Sequence, residues 1–294
     1  MIKYINLIDQ WKEDKKKLLP IINKVLSKGN WVGGENVIKF EENISKLCGT
    51  KYAVALNSGT DALYLGLYSL GIKKGSEVIT PPNSFIASTS VIVHLGAKPV
   101  FVDVKEDQNI DPKLVEKAIT SKTKAIMPVH LTGRIADMDP LIKISKKYNI
   151  PIIEDAAQSI GSRYKKKYSG SFGLIGCFSA HPLKNLNAMG DAGFLTTSDK
   201  NIYLKVKDLS NHGMTDRNRI KSFGFVSRLD DLQAAILNFR MKKLKKIIFI
   251  RRKNANLYMQ KLKKNKHVYI SNEKNFEYNT YHTFVIHAED RDNL

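Results

Sequence analysis

The chain has 294 residues, 43% of them hydrophobic, which is enough for one large domain plus a smaller one. Its two cysteines make no disulfide framework, its seven histidines do not cluster with cysteines or carboxylates as metal ligands do, and no apolar run reaches membrane-spanning length. The net charge of +20 raises a nucleic-acid partner, but the lysines are spread along the chain without an arginine-rich arm or interleaved aromatics. Solvated lysine-rich faces are the plainer reading, and attraction of an anionic small molecule is the second. Met1-Ile2-Lys3 leads into mixed polar sequence rather than an apolar signal core, so a cytoplasmic location with Cys48 and Cys177 as free thiols is expected.

The first predicted element is a helix over 8–28, interrupted at Pro20. A loop, Asn30-Trp31-Val32-Gly33-Gly34, precedes a second helix with Val37, Phe40, Ile44 and Leu47 on one face, stopped by Gly49. From residue 52 short apolar runs alternate with helical segments. The spacing predicts strands at 52–56, 77–80, 99–104, 125–129 and 150–154, with helices near 60–70, 85–95, 112–120 and 140–148. Asp111-Pro112 and Asp139-Pro140 each look like an N-cap followed by proline at the first helical position. Alternation of this kind predicts an α/β fold, a mainly parallel sheet with helices on both faces. Beyond 195 the pattern turns helical, with one long helix possible over 229–262. A last strand-like piece, Thr283-Phe284-Val285-Ile286-His287, is followed by what looks like a helix start at 290–294.

In sheets of this kind ligands bind beyond the carboxyl ends of the strands. Polar residues gather there: Asn57-Ser58-Gly59-Thr60, Asn83-Ser84-Phe85, and Asp155 after an apolar run. Lys184 sits in a turn between Phe178-Ser179 and Gly190-Asp191-Ala192-Gly193. Gly59 and Thr60 at a helix start suit an anion such as phosphate, because glycine lets the backbone approach and the helix N-terminus offers N–H donors.

Eight stretches in register resemble the DegT/DnrJ/EryC1/StrS family of nucleotide-sugar aminotransferases. They are Ser58 to Leu63, Pro82 to Ser88, Gly96 to Val104, Val129 to Gly133, Glu154 to Gln158, Gly170 to Gly173, Phe178 through Lys184 to Gly193, and Ser227 to Ala235. The resemblance implies the fold-type-I aminotransferase architecture, with a large domain over 1–240 carrying an N-terminal helical arm, and a small C-terminal domain begun over 241–294 but incomplete. It also implies pyridoxal 5'-phosphate as cofactor, a homodimer with sites at the interface, and no metal, nucleic acid or membrane insertion. The expected reaction moves an amino group from a donor, L-glutamate in this family, to a nucleotide-linked keto-sugar, in amino-sugar synthesis for surface polysaccharide or glycoconjugate.

On the same ground Lys184 is expected to bond the cofactor covalently and shuttle protons, and Asp155 to pair with its ring nitrogen. Gly59, Thr60 and Ser179 would hold its phosphate, Phe85 would stack on the ring, and Gln158 would approach it. His181 and Arg228 are candidates for contact with substrate or partner subunit. Each has a plainer reading: Phe85 in a core, Gln158 bonded to backbone, His181 merely structural, Arg228 in a salt bridge near a helix start. Where the family shows Gly-x-Asn-x-Arg, this chain has Gly224-Phe225-Val226-Ser227-Arg228, which leaves a cross-subunit phosphate contact in doubt. With the early stop, Val226 keeps an impaired or non-catalytic member open as an alternative. A nucleic-acid-binding regulator is the other.

Overall fold

In the computed structural model, which describes residues 6–293, three helices frame one side of the molecule. They are α1 (Leu7–Ser27), α2 (Glu35–Cys48) and the long α8 (Asp231–Leu262). The interruption expected at Pro20 does not occur: α1 is one helix with Pro20 inside it. A proline there removes one helical hydrogen bond and costs about 3 kcal/mol. Burial offsets this, since Leu18 and Val25 are sequestered on either side of the proline, and each is worth about 1.5–3 kcal/mol. Asp14 of the same helix pairs with Arg240 at 3.5 Å and with Lys243, both on α8.

The central unit alternates as the spacing requires: β1 (Tyr52–Leu56), α3 (Gly59–Ser69), β2 (Glu77–Thr80), α4 (Ile86–His94), β3 (Lys98–Phe101), α5 (Pro112–Lys117), β4 (Thr123–Ile126), α6 (Met138–Tyr148) and β5 (Ile153–Asp155). A small hairpin, β6 (Arg163–Tyr164) and β7 (Lys167–Tyr168), leads to β8 (Ile175–Ser179), β9 (Gly193–Thr197) and α7 (Lys200–Leu209). Strands β3, β2 and β4 are parallel. Parallel bridges Ile126↔Ile152 and Val129↔Asp155 carry the sheet on to β5, which is parallel to β8. Strand β9 alone runs the other way, between β8 and β1. An antiparallel neighbour needs no crossover helix, so the chain between β8 and β9 is free to form the turn that holds Lys184.

Successive side chains of a strand face opposite sides of the sheet, and the core follows that rule. Val54, Leu56, Ile175, Cys177 and Leu195 pack with α3 residues such as Leu63 and Leu67. Ala53, Ala55, Phe178 and Phe194 pack on the other face with Phe40 and Ile44 of α2 and Leu237 of α8. Helices therefore cover both faces of a mainly parallel sheet, as the sequence predicts.

Three local expectations are corrected. Asp111 is the N-cap of α5, accepting from Lys113 N–H at 2.8 Å with Pro112 next. At the second Asp-Pro pair the helix begins two residues earlier, capped at Asp137, and Asp139 lies in its first turn, where it pairs with Lys165. The strand expected at 283–287 is absent as such, and only His287–Ala288 pairs, with Val268–Tyr269. The preceding residues are held instead as a strap over the large sheet. Thr280 N–H donates to Gly133 C=O at 3.0 Å and His282 N–H to Thr132 C=O at 2.8 Å. Arg251 of α8 donates to the carbonyls of Tyr281 and His282. The expected helix start near 290 is a single 3-10 turn at Arg291–Asn293, with residue 294 outside the described part. Helix α8 runs unbroken past residue 240.

Candidate active site

Strand β1 ends at Leu56, and Ser58 caps α3 by accepting from Asp61 N–H at 3.0 Å. The first N–H groups of a helix have no partner within it, so Gly59 and Thr60 present donors at the sheet edge. Gly59 lies so close to the end of β8 that a Cβ there would sit 2.6 Å from Ser179 Cβ. Gly193, opposite Ser179 across the β8–β9 pair, closes on the backbone of Ser58 and Gly59 with the same lack of room. Two glycines thus let three strand ends converge, with Ser179 against Gly59 and Thr60 next in the chain.

Asp155 is the last residue of β5 and is 4% exposed. Its Oδ2 accepts from the Ser88 hydroxyl at 2.6 Å and its Oδ1 from Ala157 N–H at 3.2 Å. The neighbouring Glu154 is fully buried on the other face. It accepts from the N–H groups of Gly170, Phe172 and Gly173 and lies 2.9 Å from His130 Nε2. His130 Nδ1 in turn accepts from Ala136 N–H, which leaves Nε2 as the nitrogen that donates to Glu154. This second carboxylate is saturated by its donors and ties loops together.

Lys184 lies in the turn between β8 and β9, and that turn is clamped from three sides. Ala188 N–H donates to Ala180 C=O, Asn187 Nδ2 to Pro182 C=O, and Arg240 of α8 to the carbonyls of Asn187 and Ala188. Gln233 of α8 bonds both backbone groups of Met189. Burial holds the Lys184 amine below the usual lysine range, and the Asp155 carboxylate opposes that shift. The strap supplies a neighbour, His282, whose pKa is pushed down to about 3 by burial, then by the charges of Lys184 and Arg251. Its Nδ1 and the Oδ1 of Asn185 are buried with no hydrogen-bond partner.

The remaining expected residues are placed as follows. Phe85 is the N-cap residue of α4 and is 72% exposed, so the core reading for it is wrong. Gln158 is half-buried in the turn after β5. His181 is exposed, and its Nδ1 accepts from Leu183 N–H at 3.3 Å, which shapes the lysine's own turn. Arg228 is exposed and donates to Asn211 at 3.0 Å. Val226 lines a cavity of about 450 Å³ with Thr60, Asp61, Tyr64 and Phe225 of its own chain. A smaller cavity, about 150 Å³, lies between Asn83, Gln108 and Thr132 and the strap residues Asn279, Tyr281 and Thr283. Ser88 and His282 are the residues the sequence reading missed. Ser88 stood within a quoted motif but gave no sign of its partner, and nothing in the local sequence marks His282.

Among the described residues no group of three or more His, Cys, Asp or Glu could hold a metal, and no helix is long and apolar enough to cross a membrane. Both cysteines are buried and free.

Comparison with known proteins adds the following. Residues 12–294 match the model of the DegT/DnrJ/EryC1/StrS aminotransferase family. A UDP-2-acetamido-2-deoxy-3-oxo-D-glucuronate aminotransferase of Pseudomonas aeruginosa is 40% identical over 264 residues, covering 90% of this chain and 74% of its own. Among solved structures, DesV of S. venezuelae, in complex with a ketimine intermediate, superposes with a TM-score of 0.96 at 36% identity, over 99% of this chain and 79% of its own. The Bacillus subtilis protein NtdA, with bound cofactor PMP, gives 0.88 at 33% identity, over 96% and 65%.

Proposed function

This chain belongs to the DegT/DnrJ/EryC1/StrS aminotransferase family and is a pyridoxal-phosphate-dependent aminotransferase, and from that premise we propose that it carries an amino group from L-glutamate to a keto carbon of a nucleotide-linked sugar. The amino sugar would serve a surface polysaccharide or glycoconjugate. The 3-oxo sugar named for the P. aeruginosa relative favours C3 as the acceptor position.

The residues present fit the cofactor. Gly59, where a Cβ would meet Ser179, lets the end of β8 come against the start of α3, so that a phosphate held there would meet both Ser179 and the first N–H groups of the helix. The Val226 side chain offers no hydrogen-bond donor, so the phosphate donors we assign are Gly59, Thr60 and Ser179. Asp155 is the assigned partner of a protonated ring nitrogen, Phe85 the face that covers the ring, and Gln158 its neighbour. The observation that carries the proposal is Lys184, half-buried in a clamped turn with a lowered pKa near an anchored carboxylate. When bound, pyridoxal phosphate supplies an electron sink at the carbon that exchanges amino groups.

The chain's own part is to bind, orient and move protons. A lysine amine with a lowered pKa has a neutral fraction that can accept a proton. Lys184 Nζ would take the proton from the donor's α-carbon in the first half-reaction and return one to the acceptor carbon in the second. In the cavity between Asn83, Thr132 and the strap, the side chains of Asn83, Gln108 and Asn279 would offer hydrogen bonds to sugar hydroxyls. A homodimer would cover the exposed apolar groups around the site mouth, Phe85, Ile86, Val226 and Phe223, the last 96% exposed. Arg228 and His181 would then face the partner or the nucleotide.

The test uses the full chain loaded with pyridoxal phosphate. Its absorption band should shift on adding L-glutamate, and Lys184→Ala should lack that response. Nucleotide keto-sugars are then offered with glutamate and products read by mass. A loaded wild-type chain that neither responds to any amino donor nor aminates any keto-sugar defeats the proposal.

A further inference from the structure

Helix α4 begins beside the site and buries one polar side chain, Ser88, with the apolar Val91 and Ile92. Ser88, in its first turn, is 1% exposed, and its N–H donates to Phe85 C=O at 3.1 Å. A serine hydroxyl has a single proton to give. In a helix it is commonly given to a backbone carbonyl of the preceding turn, but Ser88 gives it to Oδ2 of Asp155 at 2.6 Å. The bond joins residues 67 positions apart, from two different elements.

Asp155 is otherwise fixed only through its backbone and one amide. Its N–H donates to Pro128 C=O, its C=O accepts from His130 N–H, and its Oδ1 accepts from Ala157 N–H at the long distance of 3.2 Å. Oδ2 has the short bond. The charge nearby is that of Lys184, which interacts with Asp155 without a hydrogen bond between them being present. The orientation of the carboxylate about its side-chain torsions therefore depends on Ser88 more than on any other contact it makes.

We propose that Ser88 is a positioning residue that holds the Asp155 carboxylate in the one orientation suited to a protonated ring nitrogen, and so sets how tightly the chain grips its cofactor. The inference rests on the reading of Asp155 as the ring-nitrogen partner. It extends that reading, because the same short bond also fixes the start of α4, whose N-cap residue is Phe85. One hydroxyl thereby links the residue assigned to the ring's edge with the residue assigned to its face. Bonds from neutral donors to a buried carboxylate are among the stronger hydrogen bonds of proteins, and the loss of one leaves a buried lone pair without a donor.

The experiment measures the dissociation constant of pyridoxal phosphate by equilibrium titration for the full chain, Ser88→Ala, Ser88→Thr and Asp155→Asn. The pH at which the bound cofactor's absorbance titrates is recorded for each, with the thermal midpoint of each chain before loading. Ser88→Ala should weaken binding by about tenfold or more and move the titration, while its unloaded midpoint falls only by the small amount that one stranded buried acceptor costs. Ser88→Thr, which keeps a hydroxyl, should restore both readings. If Ser88→Ala binds and titrates as the wild type does while Asp155→Asn loses affinity, Ser88 has no positioning role and the assignment of Asp155 stands. If Asp155→Asn itself binds normally, both fall. Equal losses of unloaded stability in the alanine and threonine variants, with the titration unmoved, would make Ser88 a packing residue only and overturn the proposal.

Discussion

His282 shows how one side chain can make the fold sensitive to acid. In the unfolded chain it takes up a proton as the pH falls through its ordinary value of 6.5; in the folded chain it does so only at about 3. Between those limits the unfolded state binds more protons. Stability contributed at this position therefore falls as the pH falls, by at most about 1.4 kcal/mol per pH unit. His282→Asn should flatten that part of the profile, measured as the difference in urea midpoint between variant and wild type across the same window. An unchanged difference would mean that the imidazole is not held neutral. At this scale the sequence was informative where a residue's role is local. Lys184, Asp155 and Gly59 are marked by the strands and turns that flank them. Ser88 and His282 were silent, because what matters about each is a partner brought near by the fold and not by the chain.

Among the elements, α8 does the most to shape the site without entering it. Its Gln233 and Arg240 hold the backbone of the lysine turn, and Arg251 holds the strap. Arg240 is 3% exposed and paired with Asp14. Removing one member of a buried pair strands the other and costs about 3–5 kcal/mol. Asp14→Ala should therefore lower the unfolding free energy by roughly that amount. Arg240→Met, by freeing the carbonyls of Asn187 and Ala188, should also lower kcat more than it raises KM. Denaturation and steady-state kinetics on the two variants separate these effects, and an Arg240→Met enzyme with unaltered kcat would remove α8 from the site's support. The elements themselves were mostly legible. Strands β1 and β2 fall where the periodicity puts them, and the long helix lies within two residues of its expected start. The misreadings, at Pro20, Asp139 and 283–287, share a cause. Local propensity was overruled by tertiary contacts: of α1 on α8, of Asp137 with Tyr164 and Asp139 with Lys165, and of the C-terminal segment on Gly133.

For the whole molecule, charge and apolar exposure point in different directions. A net charge of +20 favours separation of copies, while Phe223, Phe85 and Ile86 lie open on the surface. If those side chains mediate pairing, Phe223→Asp should shift the chain from dimer to monomer in sedimentation at moderate salt and leave the unfolding midpoint of the isolated chain nearly unchanged. A variant that sediments as the wild type would exclude this surface from the contact. The mainly parallel α/β architecture was readable because strand and helix signals alternate over a long stretch. The reversed β9 was not, since a strand's direction is set by its neighbours.

The strap over Gly133 also has a consequence in time. Every strand of the large sheet has been synthesised before residue 198, yet the surroundings of Lys184 are completed by Thr280 and His282, which leave the ribosome near the end of the described chain. Sheet formation and site maturation are therefore separable events, with the lysine open to solvent during the interval. A chain stopped at residue 278 should keep the protected amides of β8 and β9 in hydrogen exchange, while its Lys184 reacts with an amine-directed acylating reagent as readily as a surface lysine does. In the longer chain the docking of Thr280 and His282 would lower that reactivity.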